Sequence, residues 1–397
     1  MRSRQFMFIL SLLVLLHVYI GTRLLPALPI GMPGRLLGIV LLVLSCILMP
    51  MGLAARSVRR QPWSDRLAWT GYLTMSVFSS LFLLTLIRDI VLGVAALFLA
   101  ADARASLIAQ TALAVPLLTA VSTLIGYFYA RRRAPIVNID VPIRDLPLAL
   151  QGFTIAQISD IHVGPTIKRG YLDAIVDAVN GLHADVIAVT GDLVDGSVRE
   201  LSSHTQPLSR LSARHGAYFV TGNHEYYSGE PAWSAEVTRL GLRVLANEHV
   251  VLQHDGAPLV LAGVTDYGSH HFNPAQRSDP AVAIAGAPLA PAPRILLAHQ
   301  PRSAAAASAA GFDLQLSGHT HGGQFWPWNL FVRLQQPFTA GLHRLNELWV
   351  YISRGLRLPL QRRGSTCNSP GTRMAASSGR GICSCDSSSR SRPVCIG

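Results

Sequence analysis

The chain has 397 residues, of which 50% are hydrophobic and 14% are charged, and its formal net charge is +12. This length predicts at least two structural units, and so apolar a balance excludes an ordinary, wholly soluble protein. The positive charge does not indicate nucleic acid, because arginines cluster beside apolar segments, at 56–66 and at 131–133. Anionic lipid headgroups are therefore the expected partners, and no nucleic acid is expected.

Four apolar stretches are long enough to cross a membrane, which takes about 20 mostly apolar residues. They lie near residues 6–25, 35–55, 68–87 and 107–130. The first follows a basic start, as a signal peptide would. It lacks a small-residue cleavage site, however, and three more apolar segments follow, which favours a membrane anchor.

The arginine clusters predict the orientation of these segments. Cytoplasmic loops carry an excess of Lys and Arg, and four crossings put all the clusters on one side. We therefore expect a multi-pass protein of the inner (cell) membrane, with the region after residue 134 in the cytoplasm. Arg88 and Asp89 interrupt the apolar pattern. They either mark a membrane interface at a segment end, which we favour, or form a functional pair.

From about residue 135, short apolar runs alternate with helical periods, which predicts an α/β domain. The strands are expected at 153–158, 186–190, 218–221, 295–298 and 314–316. The helices are expected near 171–182, after Pro231, and at 303–310. Asp255-Gly256 between two apolar runs predicts a hairpin turn.

Each of these five strands runs directly into residues that are able to bind metal. The segments are Ser159-Asp160-Ile161-His162, Gly191-Asp192-Leu193-Val194-Asp195, Gly222-Asn223-His224-Glu225, Ala298-His299-Gln300 and Gly318-His319-Thr320-His321. In open α/β sheets the ligand site lies beyond the carboxyl ends of the strands, so separate segments can converge there. The sequence therefore predicts one site that is built from all five segments.

Any one segment alone is weak evidence, since Gly-Asp is a common turn and Asn is a common helix cap. Together and in this order they resemble the D-x-H, G-D-x-x-D, G-N-H-E, H and G-H-x-H blocks of calcineurin-like metallophosphoesterases, over roughly residues 150–355. The resemblance implies an α/β fold, a two-sheet β-sandwich flanked by helices. Here an α-helical membrane domain of about four transmembrane helices precedes it.

The resemblance also implies a site with two divalent metal ions, which activate a water and neutralise charge on the phosphoryl oxygens. The first ion would be held by Asp160, His162, Asp192 and His321. The second would be held by Asp192, Asn223, His299 and His319. Asp192 would bridge the two ions. Carboxylate, amide and imidazole ligands favour Mn²⁺, with Fe²⁺ or Zn²⁺ as alternatives, over Mg²⁺.

His224 is the catalytic residue that the resemblance implies, since it would lie near the scissile phosphate and protonate the leaving oxygen or steady its charge. Asp195 and Glu225 are expected to fix imidazole tautomers. His270 and His271 are interpreted as surface residues. Glycines are expected where the backbone approaches the ligands, at Gly164, Gly222, Gly318, Gly322 and Gly323.

Residues 357–397 depart from the family, whose members continue with a Gly- and Pro-rich turn and a last strand. The segment has seven arginines, one acid and four of the five cysteines, at Cys367, Cys383, Cys385 and Cys395. The four cysteines could be interpreted as a zinc site, but Cys383-x-Cys385 and the other spacings fit no ordinary template. The segment is either a disordered basic tail or the product of a reading-frame slip, and the abrupt change of composition within a domain favours the slip.

The sequence thus predicts a membrane domain (1–134), a metallophosphoesterase domain (135–356) and an anomalous tail (357–397). The expected activity is metal-dependent hydrolysis of a phosphodiester, pyrophosphate or phosphomonoester, carried out by a metal-bridging hydroxide, with a lipid-linked substrate favoured by the membrane anchor. The alternatives are a membrane-bound ligand sensor that keeps the metal site without turnover, and a nuclease. Intact His224 argues against the sensor, and only the basic charge supports the nuclease.

Overall fold

The structure is a computed structural model that describes residues 2–55, 58, 60–130, 135–288, 291–321, 334, 336–355 and 372–376. The chain divides into two compact units, Met1–Arg131 and Arg132–Gly397. The arginines at 56, 59 and 131–133, Gly322, Gly323 and the four tail cysteines lie outside the described residues.

The first unit contains four long helices. They are α1 (Arg2–Leu24), α2 (Gly31–Ala54), α3 (Trp63–Ala95) and α4 (Ala101–Ala130). All four are long and apolar enough to span a membrane, and many of their large apolar side chains are exposed at the helix surfaces. That pattern suits helices that are surrounded by lipid.

Helices α2 and α3 approach each other closely at two glycines. A Cβ atom on Gly52 would collide with the backbone of Gly71, and the reverse also holds. Small residues at such a crossing let two backbones pack against each other, which is how membrane helices commonly associate. The pair therefore fixes where α2 and α3 meet.

Arg88 and Asp89 do not lie at the end of a segment, because α3 continues to Ala95. Arg88 is buried and donates hydrogen bonds to the Thr111 hydroxyl (3.1 Å) and to the backbone carbonyl of Arg23 (3.2 Å). Asp89 accepts hydrogen bonds from the Tyr19 hydroxyl (2.8 Å) and from Nε of Arg23 (2.7 Å). These bonds, with the ion pair between Asp89 and Arg23, compensate the charges inside the unit, so the helix does not have to end there.

The second unit is built on two six-stranded sheets. The strands are β1 (Val137–Val141), β2 (Ile155–Ile158), β3 (Val186–Thr190), β4 (Ala217–Val220), β5 (Arg243–Val244), β6 (Glu248–His254), β7 (Ala257–Gly263), β8 (Arg294–Leu297), β9 (Leu314–Ser317), β10 (Gly341–Leu345), β11 (Leu348–Ile352) and β12 (Thr372–Ala376). The first sheet has the order β1-β12-β2-β3-β4-β5, and the second has the order β10-β11-β9-β8-β7-β6. The predicted α/β fold with two sheets and flanking helices is thereby confirmed.

Both faces of the central strands are buried, which is why these strands read as continuous apolar runs. One core lies between the sheets, where Ile155 and Val186 of the first sheet join Leu261 and Leu297 of the second. The helices cover the outer faces. They are α5 (Arg169–Asn180), α6 (Val198–Thr205), α7 (Asn223–Ser228), α8 (Glu230–Arg239), α9 (Pro280–Ile284) and α10 (Ala304–Ala309).

The periodic residues of α5 and α8 explain how these two helices pack. Leu172 and Val176 of α5, and Trp233 and Val237 of α8, are fully buried and share one cluster with Ile187 of β3. Apolar positions that recur every three or four residues form such a stripe. On the second sheet, the alanines of α10 pack in the same way against β8 and β11.

Five residues of the tail form β12, which pairs antiparallel with β1 along its whole length and parallel with β2 at Met374 and Ile155. The other residues of 357–397 lie outside the described residues. Whether the tail arises from a reading-frame slip therefore stays a prediction.

Candidate metal centre

The predicted metal-binding residues lie just beyond the carboxyl ends of five parallel strands. Asp160 follows β2, Asp192 follows β3, Asn223 follows β4, His299 follows β8 and His319 follows β9. In one sheet β2 pairs in parallel with β3, and β3 pairs in parallel with β4. In the other sheet β8 pairs in parallel with β9. The same ends of the strands therefore meet at one place.

The first predicted ligand group is assembled around Asp160. The ligand atoms of Asp160, His162 and His321 all lie within 4.8 Å of one another. Nε2 of His162 is 3.3 Å from Nε2 of His321, and it is 3.8 Å from Oδ2 of Asp192. Asp160, His162 and His321 are thus close enough to hold one small ion, and Asp192 approaches this group at His162.

The second group lies on the other side of Asp192. The ligand atoms of Asp192, His299 and His319 are also within 4.8 Å of one another. Oδ2 of Asp192 is 3.2 Å from Nε2 of His299, and Nδ1 of His319 is 3.2 Å from the same nitrogen. The Asp192 carboxylate thus borders both groups, which is the position that a bridging ligand requires.

Asn223 provides a separate test of whether a cation fits this site. Its Oδ1 atom is buried and has no hydrogen-bond partner among the described residues. An unpaired buried carbonyl oxygen is costly, and a positive ion beside it would remove that cost. With the buried carboxylates and imidazoles, this oxygen makes a donor set that suits divalent metal ions.

His224 and Asp195 form a pair at the mouth of the site. Nδ1 of His224 lies 2.5 Å from Oδ1 of Asp195, which is also 3.2 Å from Nδ1 of His162. Asp195 is therefore placed to fix the tautomers of both imidazoles. Nε2 of His224 is 3.9 Å from Oδ2 of Asp192, and His162, Asp192 and His224 form a third close group.

Glu225 does not fix an imidazole tautomer, contrary to the sequence-based interpretation. The side chain is fully buried and accepts hydrogen bonds from the backbone N–H groups of Gly222 (2.6 Å), Asp192 (3.0 Å), Leu193 (2.8 Å) and Val194 (3.3 Å). Burial first, and then the charge of Asp192, raise its pKa to about 7. Glu225 therefore holds the two loops that carry Asp192 and Asn223.

The backbone at the ligands is left-handed at five positions that are not glycine. These are Asp160 (φ 57°), His162 (φ 53°), Asp192 (φ 51°), His319 (φ 72°) and His321 (φ 49°). Such a conformation is uncommon for residues with a Cβ atom and clusters at functional sites. The sharp turns bring both members of each D-x-H or H-x-H pair to the site.

Glycines let the backbone of one segment touch the ligands of another. A Cβ atom at Gly222 would collide with Asp192, and one at Gly318 would collide with Ser159 and Asp160. Sequence reasoning missed Gly355, where a Cβ atom would lie 3.1 Å from Cβ of Asp160. In the sequence, the only indication of this close approach is that Gly355 follows soon after β11.

In the protein without bound ions, the pKa values of the histidines at the site are shifted in different directions. Burial lowers the pKa of His162, but the carboxylates of Asp195, Asp192 and Asp160 together outweigh it and raise that pKa to about 8. Burial also opposes the rise at His299, where the Asp192 carboxylate holds the pKa well above its usual value. Burial, and then the charge of His299, lower the pKa of His319 to about 4. Metal binding at His162 and His299 must therefore displace protons.

The other predicted residues stand apart from the metal groups. His270 and His271 lie in a short 3-10 helix, Ser269–His271, and neither belongs to a metal-binding group among the described residues. His270 is partly exposed and His271 is exposed. Gly164 lies beside Asp195, where a Cβ atom would come within 2.9 Å of Cβ of that residue.

Comparisons with known proteins agree with this geometry. Residues 153–323 match the calcineurin-like phosphoesterase family. The chain is 37% identical over 254 residues to "Transmembrane protein with metallophosphoesterase domain" of Danio rerio, covering 62% of this chain and 58% of that protein. It is 30% identical over 257 residues to "Uncharacterized metallophosphoesterase YkuE" of Bacillus subtilis, covering 59% of this chain and 85% of that protein.

A third relative is an uncharacterized metallophosphoesterase of Aquifex aeolicus, with 31% identity over 204 residues, covering 51% of this chain and 76% of that protein. The chain spans less than two thirds of the length of the Danio rerio protein and of its Bos taurus counterpart, at 58% and 59%. Two of these relatives are thus matched over most of their own length.

Proposed function

Because the chain belongs to the calcineurin-like metallophosphoesterase family, we propose that it is a membrane-bound hydrolase that cleaves a phosphoester with the help of two divalent metal ions. The observation that carries this proposal is the position of Asp192, whose Oδ2 lies 3.8 Å from Nε2 of His162 in one ligand group and 3.2 Å from Nε2 of His299 in the other. A shared carboxylate between two ligand groups is typical of two-metal phosphoesterases.

Asp160, His162, Asp192 and His321 would hold one ion, and Asp192, Asn223, His299 and His319 would hold the other. When bound, such ions neutralise charge on the phosphoryl oxygens and lower the pKa of a water. The mixture of oxygen and nitrogen donors favours Mn²⁺, with Fe²⁺ or Zn²⁺ as alternatives. Asp160, Asp192 and His299 are buried and the other four donor residues are partly buried, which limits the access of bulk water to the phosphoryl group.

The protein's own contribution to bond cleavage centres on His224. Asp195 accepts a hydrogen bond from Nδ1 of His224, so a second proton would sit at Nε2, on the side toward Asp192. From there it could pass to the leaving oxygen of the ester, while the Asp195 carboxylate stabilises the imidazolium. A sensor without turnover would not need this pair, so the pair favours an enzyme.

The substrate is proposed to be a phosphodiester, pyrophosphate or phosphomonoester, and a lipid-linked one is favoured by the four apolar helices. We place the protein in the inner (cell) membrane, with membrane lipids as partners and the second unit in the cytoplasm. No nucleic-acid partner is proposed. A periplasmic reporter that is active when fused after residue 133 would contradict this orientation.

The test is turnover of phosphomonoesters, phosphodiesters and lipid pyrophosphates by the detergent-purified full-length protein, with and without Mn²⁺. We expect metal-dependent hydrolysis that Asp192→Asn abolishes together with metal binding. His224→Ala should keep the metal and lower turnover by roughly 10²–10⁴-fold, the usual weight of a general acid or charge stabiliser. Loss of metal in His224→Ala would make His224 a ligand, and unchanged activity in Asp192→Asn would refute the shared carboxylate.

A further inference from the structure

Two exposed aromatic rings form a row that begins at His224, and neither belongs to the metal groups. Tyr227 follows His224 by three residues on α7, so both side chains project from the same face of the helix. Their ring centroids are 5.5 Å apart, and the ring of Phe272 lies 5.6 Å beyond that of Tyr227. Tyr227 is 59% exposed and Phe272 is 51% exposed. We call Tyr227 and Phe272 the aromatic platform.

The platform is held in place by a hydrogen-bonded loop. The Asp266 carboxylate accepts hydrogen bonds from the backbone N–H of Gly268 (2.8 Å) and from the side-chain amide of Gln300 (2.9 Å). Farther along the loop, the backbone N–H of Phe272 donates to the carbonyl of Ser269 (2.9 Å). The ring of Tyr226 also packs against Phe272, at 5.4 Å between centroids. Phe272 is thus presented by a fixed loop.

Exposed aromatic rings on a fixed support are typical of surfaces that bind apolar or planar groups. The platform begins in contact with His224, the residue assigned to the leaving oxygen in the proposed function. An ester whose phosphoryl group lay at the metal groups would therefore pass its leaving arm over Tyr227 and Phe272.

We propose that Tyr227 and Phe272 determine substrate specificity by binding an apolar leaving arm of the phosphoester. This inference rests on the proposed function and narrows its substrate class to esters with an aromatic or acyl arm next to the scissile bond. The platform is continuous with His224, which favours a substrate arm as its ligand. A membrane surface or a partner protein would not need to contact the imidazole of His224.

The test measures competitive inhibition of phosphodiester turnover by phosphonates that share one charged group and differ in their arm. Methylphosphonate, hexylphosphonate and 1-naphthylphosphonate serve as the probes, with the Mn²⁺-loaded full-length protein in detergent. We expect Tyr227→Ala and Phe272→Ala each to raise the inhibition constant of the naphthyl or hexyl probe about tenfold, in line with the usual weight of ring stacking. The constant for methylphosphonate should change less than about twofold.

Two variants serve as controls. Tyr227→Phe keeps the ring and should keep the preference for apolar arms. Leu148→Ala removes another exposed apolar side chain, 84% exposed, from a 3-10 helix that precedes β2 and so lies toward the opposite ends of the strands. Each probe is compared between variants, so its partition into detergent affects every inhibition constant equally and cancels in the ratio. The naphthyl and hexyl probes then tell an aromatic arm from an acyl arm.

Equal inhibition constants for all three probes in the wild-type protein, or an unchanged preference in both alanine variants, would overturn the proposal. If the wild-type protein hydrolyses no phosphoester at all, the proposed function fails. In that case the dissociation constants of the same probes, measured by calorimetry, still decide whether the platform binds an apolar arm.

Discussion

Removing the Glu225 carboxylate should destabilise the second unit and empty the metal centre. Glu225→Ala leaves the N–H groups of Gly222, Asp192, Leu193 and Val194 without the acceptor that they share. A buried donor that loses its partner costs about 1–3 kcal/mol. Since the loops can partly relax, we expect a loss of about 3–6 kcal/mol from the free energy of unfolding, against a usual total of roughly 5–15 kcal/mol.

Thermal unfolding of the detergent-purified protein measures this loss, together with the metal content of each variant. For a unit of this size, 1 kcal/mol corresponds to about 2–4 °C in Tm, so Glu225→Ala should lower Tm by on the order of 10 °C. Glu225→Gln keeps one acceptor oxygen and should lose less. Glu347→Ala is the matched control, because Glu347 is exposed and its ion pairs with Arg144 and Arg344 lie at the surface. A Glu225→Ala protein that kept its full metal content and lost less than about 2 °C would refute the reasoning.

Three further predictions concern pH, helix packing and the tail. Because the pKa of His162 is raised to about 8 and that of His299 lies well above its usual value, both imidazoles carry a second proton at about pH 6, so apparent Mn²⁺ affinity should rise with pH from about 6 through 8. A pH-independent affinity would contradict this. Gly71→Leu should cost the membrane unit about 1–3 kcal/mol through overpacking, whereas Gly93→Leu, with nothing within 4 Å, should be tolerated in the same thermal assay. If residues 357–397 arise from a frame slip, resequencing should find a single-base change near codon 355. A confirmed DNA sequence together with an ordered tail would reject the frame slip.

The parallel strands could be predicted almost to the residue. The runs at 186–190 and 295–298 correspond to β3 (Val186–Thr190) and β8 (Arg294–Leu297). Such strands are buried on both faces, so their apolar runs are continuous and end where polar ligands begin. The hairpin was also visible, because Asp255 and Gly256 take the left-handed conformation of a tight turn between β6 and β7.

Other elements could not be predicted, because tertiary contacts decide them. The edge strands β1 and β5 are short and only partly buried, so they leave little apolar pattern. The continuation of α3 past Arg88 depends on acceptors from α1 and α4 that no local pattern reveals. At the site, residue types identified the ligands, but the role of Glu225 became visible only from the backbone donors around it.

The left-handed turns at the five ligands lower the folding stability of the protein, although the site needs them for its chemistry. Each such residue costs up to about 1–2 kcal/mol relative to an ordinary conformation, and aspartate costs least. Five of them together reach on the order of 5 kcal/mol, a large share of a typical folding free energy. Replacing His162 with glycine should therefore make the metal-free protein harder to unfold while it abolishes activity. Selection for greater thermal robustness alone would erode this site, and only the need for its chemistry keeps the strained ligands in place.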